Sequence, residues 1–163
     1  MVIKYEPINR REEIARLFRD AIEAENRREL DAAKKKLDKI MELAREEEPE
    51  LYFEACFRLG EIFLQEDNYR GAIKCALRAI YYAPTDDLFR LGFKRLGNML
   101  FLIKEAGKKK ELAENMDTMR VLLKEDENLG SFLDALVKVA NGEEVEVEFP
   151  VEEMNEALQL FKG

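Results

Sequence analysis

Side chains able to do covalent chemistry are scarce in this 163-residue chain. There is no histidine, one serine (Ser131), two threonines (Thr85, Thr118) and two cysteines (Cys56, Cys75). A Ser-His-Asp or Cys-His relay needs an imidazole to take the nucleophile's proton, so neither can be assembled within the chain. Two cysteines fall short of the usual zinc cage, and their spacing is not that of a CxxC redox pair. Buried free thiols are the default reading; a Cys56–Cys75 disulfide would require Cα atoms within about 7 Å. Carboxylates, lysines and tyrosines remain. The pair Asp86-Asp87 follows Thr85, where two carboxylates suit the positive end of a helix better than general acid–base work. The expectation is a non-catalytic protein with no cofactor and no metal, acting by binding.

Composition agrees. Apolar residues make up 47% and charged residues 38%, which permits a core and coats it heavily. No run of 18 apolar residues exists, so no membrane span is expected. The segment MVIKYEPINRREE lacks the apolar centre of a secretory signal, and the cytoplasm is the expected location. Abundant Glu, Lys and Arg with only two Gln read like a thermophile protein. In such a cytoplasm a Cys56–Cys75 disulfide is possible. The net charge of −8 is unevenly spread: residues 127–163 carry 2 basic and 9 acidic side chains, whereas residues 1–126 are nearly balanced.

Helical periodicity organises almost the whole chain. Asn9 can cap a first helix carrying Ile14, Leu17, Phe18, Ala21 and Ile22. A second run holds Leu30, Ala33, Leu37, Ile40, Met41 and Ala44. Pro49 opens a third, through Leu51, Ala55, Leu59, Ile62 and Phe63. A fourth runs from Tyr69 to Ile80 and ends before Pro84. Thr85 caps a fifth, through Leu88, Leu91, Leu96, Leu100 and Ile103, with Gly107 at its C-terminal stop. A sixth carries Leu112, Met116, Met119 and Leu123 and breaks at Asn128–Gly130. Ser131 starts a shorter seventh, closed by Gly142. The period then changes: Glu144-Val145-Glu146-Val147-Glu148-Phe149 alternates strictly, which is strand patterning. Helical spacing returns over residues 151–161.

Six helices joined by short turns invite a search for repeats. The second pair contains Cys56-x2-Leu59-Gly60-x2-Phe63, then Ala72-x3-Ala76, Ala79 and Pro84. This run resembles the tetratricopeptide repeat (TPR), whose pattern is Trp-x2-Leu-Gly-x2-Tyr, Ala-x3-Phe and a closing Pro. Cysteine, phenylalanine and alanine replace the three aromatic residues. Phe93-x2-Leu96-Gly97-x2-Leu100 repeats the first half 37 residues later, although Glu111 and Asn115 stand in the small-residue places of its second helix. Leu17-x3-Ala21-x2-Ala24 with Ala33-x3-Leu37 aligns 39 residues earlier and lacks the Leu-Gly. Gly60, Ala72 and Ala79 would let two helix axes approach closely.

The resemblance implies an all-α chain, an antiparallel helix-pair (TPR-like) right-handed solenoid of about three repeats with C-terminal capping helices. Residues 1–163 form a single domain. Residues 10–125 supply three TPR-like pairs, and residues 126–163 a capping helix, a short extended segment and a terminal helix. In that family the first helix of each pair lines a concave groove. The mapping places Phe18 and Ile22, with Ala15 and Glu25, in the groove from the first pair. Phe57, Glu61 and Leu64 come from the second pair, and Lys94, Asn98 and Phe101 from the third. Phe18, Phe57 and Phe101 would supply apolar contacts; Glu61, Lys94 and Asn98 would set orientation. Lys94-x3-Asn98 resembles half of the clamp with which some TPR domains grip a C-terminal carboxylate. Phe18 and Ile22 stand where that clamp needs polar groups, and Glu61 would repel the ligand.

The expected function is a protein–protein interaction scaffold that holds an unidentified peptide or partner helix. A self-assembling structural protein is the alternative. Lys34-Lys35-Lys36 and Lys108-Lys109-Lys110 fall at one set of helix ends, with Arg70 and Lys74 in the comparable region of the middle pair. Glu46-Glu47-Glu48, Asp86-Asp87 and Glu125-Asp126-Glu127 fall at the other. Opposite charged edges would support salt-sensitive self-association. The overall acidity and the lack of a nucleic-acid motif argue against nucleic acid. In the tail, Val145, Val147 and Phe149 share one face, and Glu144, Glu146 and Glu148 the other. A lone strand needs a partner. The segment Val2-Ile3-Lys4-Tyr5, another chain or the groove could provide one, and the tail could instead simply cap the last repeat.

Overall fold

The computed structural model describes residues 9–114, 116–123 and 125–163, with the Asp117 side chain left aside. The described residues are all-helical: α1 (Arg10–Asn26), α2 (Leu30–Ala44), α3 (Pro49–Gln65), α4 (Tyr69–Tyr81), α5 (Asp86–Glu105), α6 (Lys109–Ala113), α7 (Asp117–Leu123), α8 (Glu127–Ala140) and α9 (Glu152–Phe161). The starts follow local chemistry. The Asn9 side chain accepts from Arg11 N–H (3.0 Å), Asn68 from Gly71 N–H (3.0 Å), Thr85 from Leu88 N–H (3.2 Å) and Asp126 from Leu129 N–H (3.1 Å). Each bond satisfies a first-turn N–H that has no partner inside the helix.

The helix ends repeat one device. After α1, α3, α5 and α8 the chain passes through a single left-handed residue: Arg28 (φ 62°), Asp67 (φ 60°), Gly107 (φ 72°) and Gly142 (φ 83°). The next N–H then reaches back five residues: Glu29 to the Ala24 carbonyl (2.8 Å), Asn68 to Phe63 (2.8 Å), Lys108 to Ile103 (3.1 Å) and Glu143 to Lys138 (3.0 Å). This is the Schellman closure, and it sends the chain away from the helix it ends. The first three turns lie 39 and 40 residues apart, close to the 39- and 37-residue offsets of the sequence repeats.

Packing proceeds by neighbours: α1 on α2, α2 on α3, α3 on α4 and α4 on α5. The α3–α4 crossing is closest at Gly60, where an added methyl carbon would lie 3.0 Å from the Ala72 carbonyl oxygen and 3.2 Å from Cys75 Cβ. Only a residue without Cβ lets the two backbones approach this far. A continuous apolar core runs beneath all nine helices and buries Phe53, Phe57, Phe93, Phe132 and Phe161.

The order changes after α5. Aligned on the left-handed residue, the places of Ala72, Ala76 and Ala79 in α4 are held by Leu112, Met116 and Met119. The expected sixth helix is accordingly not continuous. It stops at Ala113, Glu114 turns to an extended backbone (ψ 133°), and helix resumes at Asp117. Three large side chains cannot enter the shallow crossing that alanines permit, and these two short helices pack on α8 instead. The seventh expected helix begins earlier than its sequence suggests. Asn128–Gly130 lie in the first turn of α8, and Asp126, rather than Ser131, is its cap.

Alongside α5 lies α9. Arg90 pairs with Glu153 (2.9 Å), an added methyl on Gly97 would meet Ala157 Cα (3.3 Å) and Leu160 Cδ1 (3.0 Å), and Gly163 ends beside Lys104. Residue numbers rise together along both helices, so α9 runs parallel to α5. The expected strand at 144–149 does not form; no β-bridge occurs among the described residues. At the segment's last residue the Asn155 side chain stands where a neighbouring strand would. It accepts from Phe149 N–H (2.8 Å) and donates to the Phe149 carbonyl (3.0 Å), while Lys162 donates to the Val145 carbonyl (2.9 Å). The suggested pairing segment Val2–Tyr5 lies outside the described residues.

Candidate functional site

The residues expected to line a groove fall on α1, α3 and α5, and ion pairs tie these helices together across one surface. Arg58 of α3 reaches Glu25 of α1 (3.2 Å) and, one turn back on its own helix, Glu54 (3.5 Å). Arg95 of α5 reaches Glu54 (2.7 Å) and Glu61 (2.8 Å) of α3. Three helices are thereby joined by five side chains in alternating charge. Sequence reading placed Glu25 and Glu61 on this face and missed Glu54, Arg58 and Arg95. The i, i+4 spacing of Glu54 and Arg58 was the available signal.

Phe57 is not a groove contact. Its side chain is fully buried, and the Arg95 guanidinium lies over its ring at 4.5 Å from the centroid. The positive charge is held there by Glu54 and Glu61, and the ring's negative face adds to the attraction. The correction has a simple cause. On α3 the buried arc includes Phe53, Phe57 and Gly60, so the ring rotates into the core, and α5 supplies a long side chain that closes over it. Glu61 is correspondingly an anchor for Arg95 rather than a free orienting charge.

The other expected residues stay nearer the surface. Phe18 and Leu64 are half-buried; Ile22 and Phe101 are 37% and 39% exposed. Lys104 lies over the Phe101 ring at 5.0 Å. Ile22, Leu64 and Phe101 occupy the C-terminal halves of α1, α3 and α5 and offer apolar surface beside the ion-pair ladder. Lys94 and Asn98 are exposed, but α9 stands next to them: Glu153, Glu156, Ala157 and Leu160 form the other wall of a shallow cleft of about 260 Å³. The tail thus borders the share of the surface that α5 supplies.

Burial raises the Glu25 carboxyl above its ordinary value; Arg58 opposes the shift, and the nearby charge of Glu61 adds to it. The Arg95 guanidinium loses some stability as a cation through burial, but the hydrogen bonds to Glu54 and Glu61 outweigh this and raise its pKa. Cys56 and Cys75 are buried free thiols on α3 and α4. Burial, followed for Cys56 by the proximity of Cys75, pushes Cys56 up to about 12 and Cys75 up to about 11. Neither is a thiolate near neutrality, which removes nucleophilic reactivity.

The basic clusters are partly neutralised locally. Lys34 bonds Glu66 (2.8 Å), which links α2 to the end of α3; Lys108 bonds Glu111 (3.2 Å); Lys109 covers the Phe161 ring (5.4 Å). Among the described residues no helix is long and apolar enough to cross a membrane. Comparison of the chain with protein-family models, with curated proteins and with solved structures finds no match.

Proposed function

We propose that the chain is a TPR-like helix-pair solenoid acting as a non-catalytic scaffold that holds an amphipathic partner helix or peptide across α1, α3 and α5. One observation carries this reading. Helices α1, α3 and α5, the first helices of the three expected pairs, are tied across one surface by Arg58 to Glu25 and by Arg95 to Glu54 and Glu61. The repeated turn at 39 and 40 residues and the close approach at Gly60 support the repeat reading. The apolar contacts would be Ile22, Leu64 and Phe101, flanked by Phe18. Phe57 contributes from beneath, by fixing Arg95.

A partner helix suits this surface because it can place apolar residues at i, i+3 and i+4 on one side and carboxylates toward Arg58 and Arg95 on the other. Lys94 and Asn98 would meet the partner's end where α9 narrows the surface. The test is selection of helical peptides from a displayed library on the wild-type chain, followed by titration against Phe101→Glu and Ile22→Glu. Selected peptides should lose at least about tenfold in affinity on either substitution, the scale of losing one well-buried contact. Peptides that bind all three chains equally would place the binding surface elsewhere.

A further inference from the structure

We propose that copies of this chain associate head to tail, the acidic segment Glu144–Glu148 of one copy docking on a row of cations along α4 of the next. The inference concerns a different surface from α1, α3 and α5 and does not rest on the reading given for them.

Arg70, Lys74 and Arg78 stand four residues apart on α4 and line one side of an open groove of about 530 Å³. Asp38 of α2, Phe63 of α3 and Thr118 of α7 contribute to the other walls. None of the three cations forms an ion pair among the described residues, although Arg78 and Lys34 act through space on Asp38. This sets the groove apart from the surface on α1, α3 and α5, where each arginine is already held. Asp38 is the one acidic residue among the described residues that line this groove, so the cations outnumber the anions there and leave charge for an anionic partner.

The chain carries a partner of matching charge and pitch. Val145 is half-buried and Phe149 is buried, while Glu144, Glu146 and Glu148 are exposed, so the segment turns its carboxylates outward. None of these glutamates is paired among the described residues either. Alternate residues of an extended chain lie about 6.6–6.8 Å apart, which spreads three carboxylates over about 13 Å. On a helix, residues four apart rise about 6 Å, which spreads Arg70, Lys74 and Arg78 over about 12 Å. Three carboxylates can therefore meet three cations in register. Lys162 and Asn155 already hold the segment's backbone, so docking orders little that is not ordered beforehand. Because donor and acceptor surfaces differ, the contact is heterologous and adds copies to an open chain or closes a ring.

The test is sedimentation velocity of the full-length chain over a concentration series. At 50 mM NaCl the weight-average mass should rise past the dimer with concentration, and at 500 mM it should return to the monomer, since exposed charges are screened over a few ångströms there. Lys74→Glu and Glu146→Lys, each folded by circular dichroism, should each weaken association about tenfold. An equal mixture of the two variants should associate again, because each supplies the surface the other has lost. A folded Phe101→Glu chain should assemble as the wild type does. The proposal is overturned by a wild type that stays monomeric to about 300 µM, by variants that assemble unchanged, or by a mixture that fails to recover. It is overturned equally if Phe101→Glu abolishes assembly, which would move the contact to α1, α3 and α5. Binding of a single-stranded oligonucleotide that Lys74→Glu removes, without self-association, would assign the cation row to phosphates.

Discussion

The α3–α4 crossing and the α5–α9 crossing use the same device and reach it by different routes. Both are built on a Leu-Gly pair, Leu59-Gly60 and Leu96-Gly97, and in both the glycine admits a neighbouring helix to van der Waals contact. In the first, the neighbour follows at once, after a tight turn, and runs antiparallel. In the second, the neighbour is the terminal helix, more than forty residues on, and runs parallel. The nearest backbone atom to Gly60 is a carbonyl oxygen of α4, whereas Gly97 meets the Leu160 methyl end first. A Leu-Gly pair therefore specifies that a helix will be approached closely. It does not specify which helix will do so.

The largest expected effect tests whether α9 is as integral as α4. Phe161 is fully buried at the far end of α9. Phe161→Ala should cost about 3–5 kcal/mol in urea unfolding, the usual range for a buried phenylalanine. A cost below about 1 kcal/mol would mean that α9 is only loosely attached, and the comparison with α4 would break. Next come the glycines. Gly60→Val forces bulk against a backbone carbonyl and should cost about 1–3 kcal/mol. Gly97→Val presses first on a rotatable leucine end and should cost less. Equal costs in thermal melts would show that the two crossings are equally rigid.

Smaller effects separate the turns. Gly107→Ala places a Cβ at φ 72° and should lose about 1 kcal/mol. Arg28→Gly, at φ 62°, should gain a few tenths of a kcal/mol or more, because a left-handed non-glycine residue carries a cost of about 1–2 kcal/mol that glycine removes. An Arg28→Gly chain that melts lower would reveal a contact of the arginine side chain that offsets the strain. The smallest effect concerns Glu25. Its pKa is raised in the folded chain, mainly by burial, so folding favours its protonated form. Its contribution to stability is therefore fully present below the ordinary glutamate value and is lost as pH rises through the folded value. On acidification from pH 7 toward pH 4 the melting temperature of the wild type should rise relative to that of Glu25→Gln, closing the deficit that the ionised carboxyl carries at pH 7. Parallel curves would mean that Arg58 cancels the effect of burial.

Much of the helical frame was legible in the sequence because helix boundaries are written in local chemistry. Asn9 and Thr85 precede apolar runs at helical spacing, and Gly107 and Gly142 sit where a left-handed residue is required. The errors have equally local origins. Leu112, Met116 and Met119 have sound helical spacing, yet they are too large for the place that α4 fills with alanines, so the expected sixth helix divides. Alternation over Glu144–Phe149 marked a segment with one buried side, and the buried side is real at Phe149. No strand partner lies beside it among the described residues, and at Phe149 the Asn155 side chain takes both backbone groups.

The candidate surface was legible by helix but not by residue. Repeat spacing brought α1, α3 and α5 into consideration. It could not say that Phe57 turns inward, because a phenylalanine at helical spacing serves core and surface equally well. Nor could it find Arg95, whose partners Glu54 and Glu61 are about forty residues away in the chain.

The sequence alone determined that this is a helical chain without histidine chemistry, punctuated by caps and breaks, carrying repeats offset by 37 and 39 residues, with its acidity concentrated in residues 127–163. Each of these follows from residue type or from neighbours within a few positions. The tertiary structure decided which helix covers Gly97, which charges are already paired and which remain exposed. Those outcomes depend on side-chain volume and on contacts between residues distant in the chain, and no local rule contains them.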